Sequence, residues 1–147
     1  MTKSLIVLGI VSFSISAVSV DIHCYRWKSI VPGVSTCENV KSSLKVAACD
    51  YPISRYSFED ARIKLVFSDV GDDENRIVEG VTIGLRKLIR LADYESDLTG
   101  YVSGDTDVNG VKTLTNPKKG IQLVVSSDGT DDLITTIYLN RPEKTDR

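Results

Sequence analysis

The chain has one histidine, one tryptophan and three cysteines among its 147 residues. Each scarcity excludes something. Hydrolases of the triad type need a base beside the nucleophile, usually histidine. The single histidine, His23, lies near the N-terminal end, two residues after Asp21. No serine stands in a Gly-x-Ser-x-Gly elbow. A Cys24 nucleophile beside His23 would have its side chain on the opposite side of an extended segment. Cys24, Cys37 and Cys49 are spaced by 13 and 12 positions. Zinc sites usually show a close cysteine pair, so neither a metal nor a cofactor is expected. Basic residues are not in excess either: 18 Lys and Arg stand against 20 Asp and Glu, a net charge of −2. Nucleic acid is therefore an unfavourable partner, because phosphate binding needs a basic patch. No apolar run reaches the roughly 20 residues of a membrane span.

What is there begins with the N-terminus. Lys3 precedes an uncharged, largely apolar stretch from Leu5 to Val18. Ala17 and Ser19 are the small residues that a signal peptidase reads before a cut at Val20. Residues 1–19 are thus expected to be a signal peptide, and residues 20–147 one secreted or periplasmic domain. No stable membrane span is expected after cleavage. Val20-Asp21-Ile22-His23 before Cys24 lacks the leucine and small residues of a lipobox. In an oxidising compartment two of the cysteines are expected to pair. Cys37–Cys49 is narrowly preferred, Cys24–Cys49 is the alternative, and spacing alone leaves the connectivity open.

Hydrophobic periodicity predicts an α+β fold. Ser35 reads as a helix cap with Glu38 three residues on, and Cys37, Val40 and Leu44 share one face up to about Lys45. Residues 55–58 and 63–67 read as strands, residues 68–75 as an Asp/Gly-rich loop, and residues 77–89 as the returning strand. The order then recurs. Leu91 to Tyr101 has helical spacing at Leu91, Tyr94 and Leu98. Residues 104–110 form a polar loop, and residues 111–114, 120–125 and 134–139 read as strands. Lys64–Phe67 matches Gln122–Val125 at an offset of 58, and Val81–Ile83 matches Thr135–Ile137 at an offset of 54. Two tandem helix–strand–strand–strand units, about 22–89 and 91–140, are expected to share one antiparallel sheet with two short helices on one face. The other face is left for solvent or a partner.

The segment Trp27-Lys28-Ser29-Ile30-Val31-Pro32-Gly33-Val34-Ser35-Thr36, with Glu38-Asn39-Val40 and Leu44, resembles a helix start in uncharacterised secreted bacterial proteins. More distantly it is similar to the Gly-x-Ser helix start of the BamE-like and β-lactamase-inhibitor-protein-like families. The resemblance implies helices on one side of an antiparallel sheet and action by binding proteins, without catalysis. It covers only about 18 residues. Lys45–Cys49 stands where that pattern has a glycine and a proline.

The candidate functional residues follow. Asp69, Asp72, Asp73 and Glu74 crowd one loop but lack the ligand spacing and terminal glutamate of an EF-hand. Asp105 and Asp107, and Asp128, Asp131 and Asp132, occupy two other loops. Tyr25 and Trp27 alternate on an N-terminal segment and, with Tyr56, are candidate partner-binding aromatics. Tyr51, Tyr94 and Tyr101 are candidates to extend that surface. The expected function is an extracytoplasmic protein-binding or inhibitor-like module without catalytic activity, its partner an unidentified extracytoplasmic protein. The alternatives are a small carboxylate-dependent hydrolase drawing on residues 68–75 and 104–110, or an envelope structural protein.

Overall fold

The computed structural model describes residues 28–94 and 98–143. Residues 1–19, read as a signal peptide, and His23, Cys24, Tyr25 and Trp27 lie outside the described residues, as do residues 95–97. The element order is α1 (Cys37–Leu44), β1 (Ile53–Ser57), β2 (Ala61–Phe67), a 3-10 turn (Asp73–Asn75), β3 (Val78–Arg90), α2 (Leu91–Tyr94), β4 (Val102–Ser103), β5 (Val111–Asn116), β6 (Ile121–Ser127) and β7 (Asp132–Asn140). The strands form one antiparallel sheet in the order β1-β2-β3-β7-β6-β5-β4. The α+β expectation holds at this level.

Two-residue alternation sets the faces. In β2, Ala61, Ile63, Leu65 and Phe67 are buried, while Arg62, Lys64 and Val66 point the other way. Ile83 of β3, Ile137 of β7 and Leu123 of β6 are fully buried and lie side by side across the ladders. These side chains form one core with Cys37, Val40 and Leu44 of α1 and Leu91 of α2. A strand whose residues alternate between an oily side and a wet side is held in register by that difference. A slip of one residue would expose the whole buried set.

Helix α1 starts one residue later than Ser35 predicts. Thr36 is the cap, and its N–H donates to Asn39 Oδ1 at 2.9 Å. Ser35 is buried and its Oγ accepts from the Val31 N–H at 2.8 Å, so the hydroxyl closes the Pro32-Gly33 turn. Glu38 pairs with Lys41. A Cys37–Cys49 disulfide, with Cα atoms 6.1 Å apart, ties the first turn of α1 to the segment before β1. Closing a loop of that size is worth about 3 kcal/mol. Lys45, in the left-handed conformation at φ 56°, ends the helix.

The second helix is described over Leu91–Tyr94, and the described residues from Leu98 on are not helical, where the periodicity predicts a helix reaching Tyr101. Arg90, just before it, pairs with Asp93, the acidic residue of its first turn, at 2.8 Å. Leu98 to Tyr101 is a turn closed by the Tyr101 N–H on the Leu98 carbonyl, with Gly100 at φ 88°. The short strand β4, absent from the sequence expectation, adds two residues to the edge of β5.

The turn from β5 to β6 requires its glycine. Gly120 has φ +68°, and a Cβ there would collide with the Asn140 backbone carbonyl at the end of the central strand β7. The Asn140 N–H in turn donates to the Gly120 carbonyl at 2.8 Å. Gly120→Ala is expected to cost more than about 2 kcal/mol. Urea denaturation followed by circular dichroism measures it, and an unchanged midpoint would show that this turn does not constrain β7.

Candidate functional site

Among the described residues, both helices pack on the buried side of the sheet and none covers the other side. The open face is therefore a strand-by-strand product of the same alternation that builds the core. β1 contributes Arg55 and Ser57, β2 contributes Arg62, Lys64 and Val66, β3 contributes Gly80, Thr82, Gly84 and Arg86, and β7 contributes Thr136 and Tyr138. Further across, β6 and β5 contribute Gln122, Val124, Thr113 and Thr115.

Two adjoining hollows lie on this face. One, of about 580 Å³, is lined by Lys64, Val66, Glu79, Gly80, Thr82, Tyr138 and Asn140, among others. The other, of about 550 Å³, is lined by Arg55, Ser57, Arg62, Lys64, Gly84, Thr136 and Tyr138, among others. Lys64, Thr82 and Tyr138 border both. Thr82 and Tyr138 are direct cross-strand neighbours, so they make the ridge between the hollows. Gly80 and Gly84 stand on either side of Thr82 on the same face and supply the floors.

Neither floor glycine is needed for its backbone. A Cβ on Gly84 would meet the Arg62 carbonyl oxygen at 3.6 Å and Arg62 Cβ at 4.0 Å, ordinary contacts, with no left-handed φ. A glycine inside a strand weakens it, so Gly84 keeps a hollow open at some cost in stability. β3 then departs from β7: Gly84 faces Thr136 but Ile89 faces Ile134, leaving extra residues on β3. Past Gly84, the Arg86 guanidinium donates to Ser57 Oγ, and Ser57 lines the second hollow.

Charge is unevenly placed. Arg55 faces Lys64 directly across the β1–β2 ladder, and Arg62 precedes Lys64 by two residues on the same face of β2. Among the described residues, Arg55, Arg62 and Lys64 have no ion pair with a carboxylate. Glu79 is the acidic residue that lines the first hollow. Like charges directly opposite destabilise a sheet. The cations thus crowd one half of the face, while the β6–β5 half is lined by hydroxyl and amide groups.

The acidic loops do not converge. Alternating strand directions place the β2–β3 loop at one end of the sheet and the β4–β5 loop at the other. They are also about four strand spacings, roughly 20 Å, apart sideways. Several of their carboxylates are engaged locally. Asp73 pairs with Arg76 at 3.1 Å. Asp107 Oδ1 accepts from the Asn109 and Val111 N–H groups at 2.8 and 2.9 Å. Asp128 Oδ1 accepts from the Asp131 and Thr130 N–H groups at 2.7 and 2.8 Å, which holds its carboxyl below the ordinary range. Asp132 pairs with Lys112 at 3.1 Å. Among the described residues, no three His, Cys, Asp or Glu side chains gather to hold a metal ion.

The tyrosines divide. Tyr51, Tyr56, Tyr94 and Tyr101 pack against the core. Tyr56 lies on the inward side of edge strand β1, where its hydroxyl donates to the Ala48 carbonyl at 3.0 Å, and it also reaches the wall of the second hollow. Tyr51 stacks edge-on to Phe67 at 5.0 Å, and burial pushes its phenol up from the usual value. Tyr138 is the described tyrosine at the centre of the open face. Sequence reasoning missed it, although its position between the buried Ile137 and Leu139 was the signal.

Comparison with models of protein families, with curated proteins and with solved structures finds no match to this chain. The described part has no helix long and apolar enough to cross a membrane.

If the cation cluster strains the sheet, neutralising it relieves the strain. Lys64→Thr is expected to raise folding stability by about 0.5 kcal/mol, removing the like-charge pair with Arg55 and adding a β-branched residue. Chemical denaturation at low salt checks this, and a loss of stability would show that Lys64 has a structural partner.

Proposed function

We propose that this chain is an extracytoplasmic protein-binding module without catalytic activity, and that the open face of β1-β2-β3-β7 is its binding surface. One observation carries the reading: two adjoining hollows share a Thr82–Tyr138 ridge, and Gly84 keeps the second open although its backbone does not require glycine. An aromatic with a polar tip beside shallow hollows and an arginine-bearing rim is a common composition for an interface centre. The separation of the acidic loops supports binding over carboxylate hydrolysis, which needs two carboxyl groups within about 10 Å. The disulfide is compatible with export, as is the signal-like segment at residues 1–19. The role proposed for Tyr25 and Trp27 adds aromatics from the preceding segment to the same activity, while Tyr56, whose side chain faces the core side, borders the second hollow only from β1.

The tandem origin belongs to the same reading. Leu65 faces Val81, and Leu123 faces Ile137. Superposing the hairpins on Leu65 and Leu123 carries Val81 onto Ile137, an offset of 56 in place of 54. Two related units meeting through β3 and β7 would produce this arrangement, and it accords with the BamE-like or inhibitor-like resemblance of the first helix.

Gly84→Val tests the face. The substitution fills the second hollow without a positive-φ penalty, so stability should hold or rise by up to about 1 kcal/mol. Affinity capture with the wild-type protein from the extracytoplasmic fraction should retain a stoichiometric protein that Gly84→Val fails to retain. Equal capture by both forms would place the binding surface elsewhere.

A further inference from the structure

We infer that the occupant of this face is a short, extended acidic segment of the partner protein, laid along β2 with carboxylates at alternate positions. The inference rests on the protein-binding reading above and adds the chemistry of the bound segment. Arg62 and Lys64 are two residues apart on one face of β2, and Arg55 is opposite Lys64. Two residues of extended chain span about 6.6 Å, so acidic side chains at positions i and i+2 of an extended segment match the spacing of Arg62 and Lys64. Arg55 adds a second cation beside Lys64. Arg86 adds a further cation, bonded to Ser57 of β1. The residue between the two carboxylates, pointing away from β2, is free of the groove, while the flank of the segment meets the Thr82–Tyr138 ridge beside Lys64 and the Gly84 floor beside Arg62.

Three features favour an acidic peptide over a long polyanion. The chain as a whole carries a net charge of −2. The cations occupy only about two residues' length of two adjacent strands. Acidic residues flank them at both ends of β2: Asp69 to Glu74 in the β2–β3 loop beyond one end, and Glu59 and Asp60 in the β1–β2 turn beyond the other. A nucleic acid or an anionic membrane would extend past the patch and meet that negative charge. A segment of a few residues would not. The like-charge crowding of Arg55, Lys64 and Arg62 also acquires a use, since the incoming carboxylates remove the repulsion on binding.

The test uses the disulfide-bonded protein and peptides of about nine residues, the length of an ordinary strand. One carries Glu at every second position with Thr and Val between, one has Gln in place of Glu, and one has Lys. Binding is read by titration calorimetry and by amide chemical shifts. The acidic peptide should shift the amides of β2, β3 and β7, bind at least about tenfold more tightly than the Gln form, and weaken as salt is raised. Arg62→Glu with Lys64→Glu should lose about tenfold in affinity for the acidic peptide and gain affinity for the Lys peptide. That variant replaces the Arg55 like-charge pair by an attractive one, so it should fold. Lys118→Glu, in an exposed turn at the far side of the sheet, should change nothing. Equal binding of the Glu and Gln peptides on the same face would overturn the acidic specificity while leaving the face as a binding surface. No shift on the face with any peptide would overturn both. Tighter binding of a single-stranded oligonucleotide or of phosphatidylglycerol vesicles than of the acidic peptide would overturn the choice of occupant.

Discussion

The pairing of β3 with β7 is the contact on which the remainder of the molecule depends. β1-β2-β3 and β4-β5-β6-β7 are each a meander of local hairpins, and the only ladder joining them is β3–β7. Val81 opposite Leu139 and Ile83 opposite Ile137 place fully or nearly fully buried side chains at this seam. Three or four strands with one small helix cannot bury a sufficient core alone. Joined through the seam, their inward faces become one continuous apolar surface that α1 and α2 help to close. The Gly120 turn and the Arg141 contact with Gly33 hold the end of β7 in this position.

The same economy of helix leaves the sheet sealed on one side only. With eight residues in α1 and four in α2, the described helices suffice for the core face and no more. The opposite face must be compatible with water, and most of it is: Thr113, Thr115, Gln122 and Thr136 read as ordinary solvated strand residues. The β1–β3 part departs from that pattern. Its glycine floor and its adjacent cations each work against strand stability. Where a local preference is violated with no structural return, the compensation is sought in function.

The strands were legible because alternation is strong in Ala61–Phe67 and Ile121–Val125, where every second residue is β-branched, aromatic or leucine. The Ser-Asp-Gly turn before β7 was legible for the same local reason. The disulfide was favoured because Cys37 and Cys49 flank one short helix. The cap shifted from Ser35 to Thr36 because two adjacent hydroxyl residues offer the same chemistry, and only the buried turn at Val31 distinguishes them. The second helix was overextended because Leu91, Tyr94 and Leu98 have helical spacing, although Leu98 belongs to a turn ending near Gly100. β4 is too short to carry a period. The binding face was half visible. Lys64 stood out as a cation on an exposed strand face, but its neighbours Arg55 and Gly84 are distant in sequence, and only register brings them together. For the same reason a chain of near-neutral composition concealed a local cluster of positive charge.

Lysine reactivity in the free and partner-bound protein tests the central claim most directly, because Lys64 reports on the groove and Lys118 on an exposed turn away from it. Acetylation of both, read by mass spectrometry, should show Lys64 protected when the captured partner is bound and Lys118 unchanged. A bound complex in which Lys64 stays as reactive as in the free protein, while Lys118 becomes protected, would contradict the assignment of the open face as the binding surface.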